Sequence, residues 1–324
     1  LFYSLPFINR RIGVVKFSCL LSLFPLAAFI SLMQALTGIQ DGSALSWQFN
    51  WLPATGVQGN LYYDNLSAVF ALLVTGIGTL VVIYSGYYFK GDRSTWRFLS
   101  YLLLFMFAML GLVLSGNLIV LFFFWEITSV VSFLLVAYKT DSEQARRSAF
   151  KALLITGGGG VALLLGIILI SSITGTTEIP ALLSSGDMLR KSSLYPAILT
   201  LIALACFTKS AQTPFHIWLP EAMSAPTPAS AYLHSATMVK AGIYLLARLN
   251  PILGQTEIWF WIFSLVGLTT MLTGAYLGIK QNDLKALLAY STISQLGVMV
   301  LLIGQDTDIA FKALVISVIA HALY

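Results

Sequence analysis

Residues 207–223 read FTKSAQTPFHIWLPEAM, and they follow an apolar run, Ala197 to Phe207, that begins like a membrane span. Lys209 is a full charge inside that span, and Pro214 interrupts its helix about one turn later. A charge in hydrocarbon and a broken helix are each costly in a bilayer. Their coincidence predicts a place where protein or water satisfies both, as at the broken helices that line ion paths.

The rest of the chain agrees that lipid is its solvent. Of 324 residues, 58% are hydrophobic and 10% charged, and the mean hydropathy is +0.85. Soluble domains carry about 25% charged residues. The net charge of +5 is no sign of nucleic-acid binding, because its distribution follows the spans. Cys19 and Cys206 lie in apolar runs and read as packing residues rather than a disulfide or metal framework. No cofactor is expected, and no sequence spacing identifies a metal-ligand set.

A span needs about 20 mostly apolar residues. Ten segments qualify: 14–37, 66–88, 97–114, 117–137, 150–173, 195–222 with a break, 229–249, 257–279, 286–304 and 308–324. Loops are short except 38–65 and 174–194, so residues 1–324 read as a single all-α transmembrane domain, a polytopic helix bundle. Both ends read as truncated. Leu1 starts the chain without a signal-peptide pattern, and the last helix runs into Tyr324 without a stop signal.

Lys and Arg positions test the topology. With the N-terminus inside, the inner loops hold Arg10, Arg11, Lys16, Lys90, Arg93, Arg97, Lys139, Arg146, Arg147, Lys151, Lys280 and Lys285. The outer loops hold only Arg190, Lys191 and Arg248. The glycine run at 157–160 lacks the Lys-Ser/Thr of a phosphate loop and lies in a span, so it reads as close helix packing.

Ionisable groups inside spans are functional by default. Glu126, in LFFFWEITSVVSFLL, is the acidic residue well inside a span, and Lys209 is its natural partner. The bland alternatives are a protonated structural Glu and a purely structural ion pair. His234 and Lys240 share the next span, six residues apart, or about 9 Å along one helix. His234 titrates near neutrality when unperturbed, which suits a relay. The alternative is a histidine hydrogen-bonded to a neighbour. His321 reads as a further station, and Lys312 as a side chain snorkelling to the interface. Glu221 and His216 either line the mouth of the broken span or belong to a capping and packing segment.

The stretches FFFWEITS, FTKSAQTPFHIWLPEAM, APTPASAYLHSATMVKAGIYL and NDLKALLAYSTISQLG resemble the antiporter-like subunits of respiratory complex I and of Mrp-type multisubunit sodium/proton antiporters. The resemblance covers nearly the whole chain. TKSAQTPFHIWLP, and Lys240 in SATMVKAGIYL, are most similar to the large A subunit of the Mrp group. The corresponding complex I chain usually has threonine where this one has Lys240.

The resemblance implies fourteen spans built on two inverted five-helix repeats, with a first span before Leu1. It implies a proton relay in which Glu126 is the partner carboxylate, Lys209 the central lysine, and His234 and Lys240 the continuing stations. Two further family lysines would lie beyond this chain, as would a C-terminal extension. The implied function is proton translocation coupled to sodium efflux, beside other membrane subunits, in a bacterial inner (plasma) membrane. The alternative is a proton-pumping, non-redox subunit of a complex I-like NADH:quinone oxidoreductase or a membrane-bound hydrogenase. The first reading makes the chain a secondary transporter subunit rather than an enzyme, and the second a non-redox subunit of a respiratory oxidoreductase. Its sodium path is not located by any motif.

Overall fold

A computed structural model describes residues 13–39, 44–52, 57–92 and 94–323. Leu1, Arg10, Arg11, Arg93 and Tyr324, used above for topology and chain ends, lie outside the described residues. The helices are α1 (Val14–Leu36), α2 (Asn65–Tyr88), α3 (Thr95–Val113), α4 (Leu118–Val136), α5 (Glu143–Thr174), α6 (Ile179–Leu183), α7 (Gly186–Arg190), α8 (Tyr195–Lys209), α9 (Trp218–Ala222), α10 (Thr227–Ala231), α11 (Lys240–Leu253), α12 (Glu257–Ile279), α13 (Leu284–Gln305) and α14 (Asp308–Leu323).

Local chemistry sets many of these boundaries. Side-chain oxygens cap helix starts, where the first backbone N–H groups lack partners. Asp64 accepts from Ser67 N at 2.9 Å, Asn117 from Ile119 N at 2.8 Å, Thr256 from Trp259 N at 3.1 Å and Asp283 from Ala286 N at 2.9 Å. Gly175, at φ 71°, ends α5 in the left-handed conformation that glycine adopts without a Cβ clash.

Seven helices (α1, α2, α3, α4, α5, α12 and α13) are long and apolar enough to cross a membrane among the described residues, making the chain a multi-pass membrane protein. The other three expected spans are not long, unbroken helices. α14 has 16 residues, and two spans are interrupted. The number ten is therefore approximate, although every expected segment contains helix. α5 begins at Glu143 rather than 150, because the polar stretch EQARRSAF continues the helix beyond its apolar part.

Within the all-α bundle, the loop 38–65 carries one strand pair. Strands β1 (Leu45–Leu52) and β2 (Val57–Tyr63) pair antiparallel, with Leu45 opposite Tyr63 and Trp47 opposite Leu61. The hairpin is fastened to the bundle. Tyr62 N donates to Leu114 O at 2.7 Å, Gly116 N to Asn60 O at 2.6 Å, and Tyr63 Oη to Leu32 O at 2.7 Å. Glu178 accepts from Asn60 Nδ2 at 3.2 Å and Asn117 Nδ2 at 2.6 Å, tying the second long loop to the same turn.

The core lies where the broken spans cross the bundle. Residues 240–249 of α11 are all buried. Arg248, placed in an outer loop by the sequence, is instead 5% exposed within α11. Its guanidinium holds the Asp64 carboxylate through both nitrogens, at 2.5 and 2.7 Å, and donates to Ser67 Oγ at 2.8 Å. Burial works against the charged Asp64 carboxylate, but Arg248 and Ser67 hold its pKa below the usual value.

Candidate functional site

The first break begins at Ser210, earlier than Pro214 suggests. After Lys209 the chain passes Ala211 at φ 48° and a cis Thr213–Pro214 bond, makes a 3₁₀ turn over Phe215–Ile217 and resumes as α9. The sequence leads one to expect freed carbonyls satisfied by protein or water. Protein donors take several of them. Gln212 N donates to Phe207 O at 2.9 Å, Gln212 Nε2 to Ser210 O at 2.9 Å, and Trp218 Nε1 to Thr208 O at 2.9 Å. Side chains can satisfy a mid-membrane break without open water.

A second break, unforeseen from sequence, interrupts the next span. α10 passes into a π turn over Tyr232–Ala236, and α11 starts only at Lys240. His234 therefore sits before the break and Lys240 after it, not six residues along one continuous helix. Tyr232 Oη donates to Val74 O at 2.8 Å, anchoring the first half on α2. Arg248 anchors the second half to the start of the same helix.

The two breaks meet. Ser210 Oγ donates to Val239 O at 2.6 Å, so the residues next to Lys209 and Lys240 are hydrogen-bonded to each other. Close approach is possible because residue 242 is glycine. A Cβ there would overlap Ser210 Oγ and would lie 2.6 Å from Cys206 O.

Lys209 is fully buried. Its ammonium donates to Trp125 O at 3.0 Å and Ser129 Oγ at 2.7 Å, and lies 5.0 Å from the centre of the Trp125 ring. Both partners flank Glu126 on α4. Glu126 and Lys209 act on each other electrostatically but form no ion pair. Glu126 is half-buried, and its Oε1 is enclosed without a hydrogen-bond partner among the described residues. It rests against Gly160 of α5, where a Cβ would overlap Oε1. Gly159 similarly admits Thr208 of α8, whereas Gly157 and Gly158 face open space. Half of the glycine run thus serves the expected close packing.

Beyond the breaks, Lys240 is fully buried and donates to Val318 O of α14 at 2.9 Å. His321, one turn further on α14, lies 3.4 Å from Thr292 Oγ1 through Nε2 and is electrostatically coupled to Lys240. His234 is 2% exposed, and neither ring nitrogen has a hydrogen-bond partner among the described residues. Four of the five expected relay residues are buried, and Glu126 is half-buried.

The flanking residues divide. Lys312 is exposed on α14, as snorkelling requires. Glu221 pairs with Lys151 at 2.5 Å, joining α9 to α5 at the charged end of the bundle. His216 lies in the 3₁₀ turn with an enclosed Nδ1. Sequence reasoning missed Ser129, Ser210 and Trp218, since hydroxyls and tryptophans are common in spans and carry no spacing signal.

Comparison with known proteins places this geometry. Residues 115–324 match a family described as NADH:quinone oxidoreductase/Mrp antiporter, TM. Residues 51–99 match one described as NADH-Ubiquinone oxidoreductase (complex I), chain 5 N-terminus. The chain is 50% identical over 286 residues to the A/B component of a probable K(+)/H(+) antiporter of Rhizobium meliloti, covering 88% of this chain and 29% of that one. It is 46% identical over 301 residues to the A component of the Na(+)/H(+) antiporter of Alkalihalophilus pseudofirmus, covering 93% and 37%. A solved structure of the Mrp complex from Dietzia sp. DQ12-45-1b superposes with a TM-score of 0.90 at 38% identity, over 100% of this chain and 35% of that one. The chain spans about a third of the length of these proteins. On its motifs, its broken spans and these matches, it belongs to the NADH:quinone oxidoreductase/Mrp antiporter transmembrane family.

Proposed function

We propose that this chain is the proton-translocating part of one membrane subunit in a multisubunit cation/proton antiporter of the bacterial inner membrane. Residues 1–324 act as one transmembrane domain within it. The carrying observation is that two fully buried lysines, Lys209 and Lys240, flank the hydrogen bond at which two broken spans meet. Isolated charges at such a depth are retained for ion handling.

The relay runs from Glu126 and Lys209 through His234 to Lys240, with His321 as a further station. When the Glu126 carboxylate is ionised and near, it stabilises the Lys209 ammonium. When the two are apart, the ammonium keeps only its contacts to Trp125 and Ser129, loses its counter-charge and hands on its proton. The driving energy is about 2.3 kcal/mol per proton per 100 mV. The exchanged cation is sodium or potassium, since relatives are named for each.

Collapse of a pH gradient in everted vesicles holding the full-length complex tests this reading. Sodium or potassium, but not choline, should collapse the gradient with the wild type, and Glu126→Gln should slow the collapse at least about tenfold. An unchanged rate in Glu126→Gln contradicts the relay.

A second reading, a proton pump attached to a redox enzyme, is favoured by the complex I chain 5 match over residues 51–99. Under it, NADH- or hydrogen-linked electron transfer copurifies with the complex. Under the antiporter reading, ion exchange persists in a purified complex free of such activity.

A further inference from the structure

A cavity of about 200 Å³ lies between the first half of the second broken span, α13 and His321 of α14. Its wall includes Lys285, His234, His321, Ser235, Ser291 and Thr292. Lys285 is fixed by donating to Met223 O and Ala225 O, each at 2.7 Å. His234, with both ring nitrogens unpartnered among the described residues, lines the same space.

The wall is largely apolar, with Ser and Thr hydroxyls set into it, and carries no carboxylate among the described residues. Asp283 lies two residues from Lys285, but it caps α13 through Ala286 N and stands outside the wall. Lys139 adds a second positive influence on Lys285, Asp283 opposes it from outside the wall, and Lys285 in turn acts on His234. A hard metal cation seeks several oxygen ligands, anionic ones above all. Here it would enter beside a fixed positive charge. At about 6 Å and an effective dielectric of about 20, one unit charge changes a cation's occupancy about a hundredfold.

A proton differs from sodium in one respect. Lys285 can release its own proton into the cavity and take up another, so the cavity need never hold two positive charges. An ammonium N–H bond breaks, the proton passes to cavity water, on to a His234 ring nitrogen and away along the relay, and only then does the neutral amine take a proton from hydronium reaching it from the charged end of the bundle.

We propose that Lys285 is a specificity-determining residue, an exchangeable cation that bars metal ions from the water space before His234 while passing protons. The proposal rests on the proton-relay reading above and assigns the metal ion a route other than this cavity.

The test uses Ser235→Cys in the full-length complex, with reaction rates for anionic and cationic methanethiosulfonate reagents corrected for the parent's background. With Lys285 present the anionic reagent is favoured, and replacing choline by sodium leaves the rates unchanged. Adding Lys285→Met should lower the anionic-to-cationic ratio at least about tenfold, and Lys285→Glu should make sodium protective. Lys285→Arg keeps the charge but cannot release it, so the ratio should persist while proton exchange falls at least about tenfold. An unchanged ratio in Lys285→Met, sodium protection with Lys285 in place, or full exchange by Lys285→Arg overturns the proposal. The labelling ratio is independent of transport, so failure of the relay reading, seen as full exchange in a Lys209→Ala complex, is recognised separately.

Discussion

Lys209 shows how one residue is placed by several others. Its ammonium reaches two oxygens of α4, while the carboxylate expected to pair with it is lodged one residue away against α5. The bare backbone of Gly160 makes room for that carboxylate. Gly160→Ala should therefore displace Glu126 and slow cation-dependent proton exchange at least about tenfold, although no charge is removed. Gly157→Ala, facing open space, should leave exchange unchanged. Exchange rates for both variants, in complexes assembled to equal levels, check the contrast. Ordinarily, alanine in place of a helical glycine is stabilising by about 0.5–1 kcal/mol, so a loss specific to position 160 reports on the carboxylate. The identities of Glu126, Lys209, His234, Lys240 and His321 were legible in the sequence because charge in an apolar run stands out. Their contacts were not, because Trp125 O, Ser129 Oγ and Val318 O look like any other span atoms.

At the scale of elements, the two breaks differ in how they could be read. Pro214 announced the first, although the helix already ends at Lys209. The second, between Ala236 and Lys240, has no proline in SATMVK to mark it. It is held open by tertiary contacts, Ser210 on Val239 and Tyr232 on Val74. The hairpin at 45–63 was missed for a similar reason, since hydropathy finds spans and passes over a short strand pair pinned to a turn. Trp218 should matter to the first break beyond its bulk. Trp218→Phe keeps an aromatic ring but a smaller one, and leaves Thr208 O without that donor at a cost of about 1–3 kcal/mol beyond the lost packing. Thermal unfolding of the purified complex should show the lower midpoint.

Across the whole molecule, the second of the two broken spans is secured to α2 near both of its ends, through Tyr232 and Arg248. The buried Arg248–Asp64 pair had no sequence signal beyond an arginine near a predicted span end. Asp64→Asn leaves the guanidinium short of its counter-charge and should destabilise the fold by about 3 kcal/mol at neutral pH. The sign with pH follows from the lowered pKa of Asp64. Its stabilisation is fully present above the unfolded value of about 3.9 and is lost as pH falls through the lower folded value. The gap in unfolding midpoint between wild type and Asp64→Asn should therefore persist from neutral pH to about 4 and narrow below it. A gap that widens on acidification contradicts the assignment.

Hydropathy located the helical segments, seven of them long and apolar enough to span among the described residues, and charge inside apolar runs picked out the relay candidates. What remained hidden was set by contacts between segments distant in sequence, which no local pattern encodes. The central claim, that a buried lysine at a broken span carries the transported proton, is tested most directly by Lys209→Ala in the full-length complex. Its readout is cation-dependent collapse of a pH gradient in everted vesicles, with assembly verified. The account predicts collapse no faster than in vesicles lacking the complex. Collapse at the wild-type rate would contradict it.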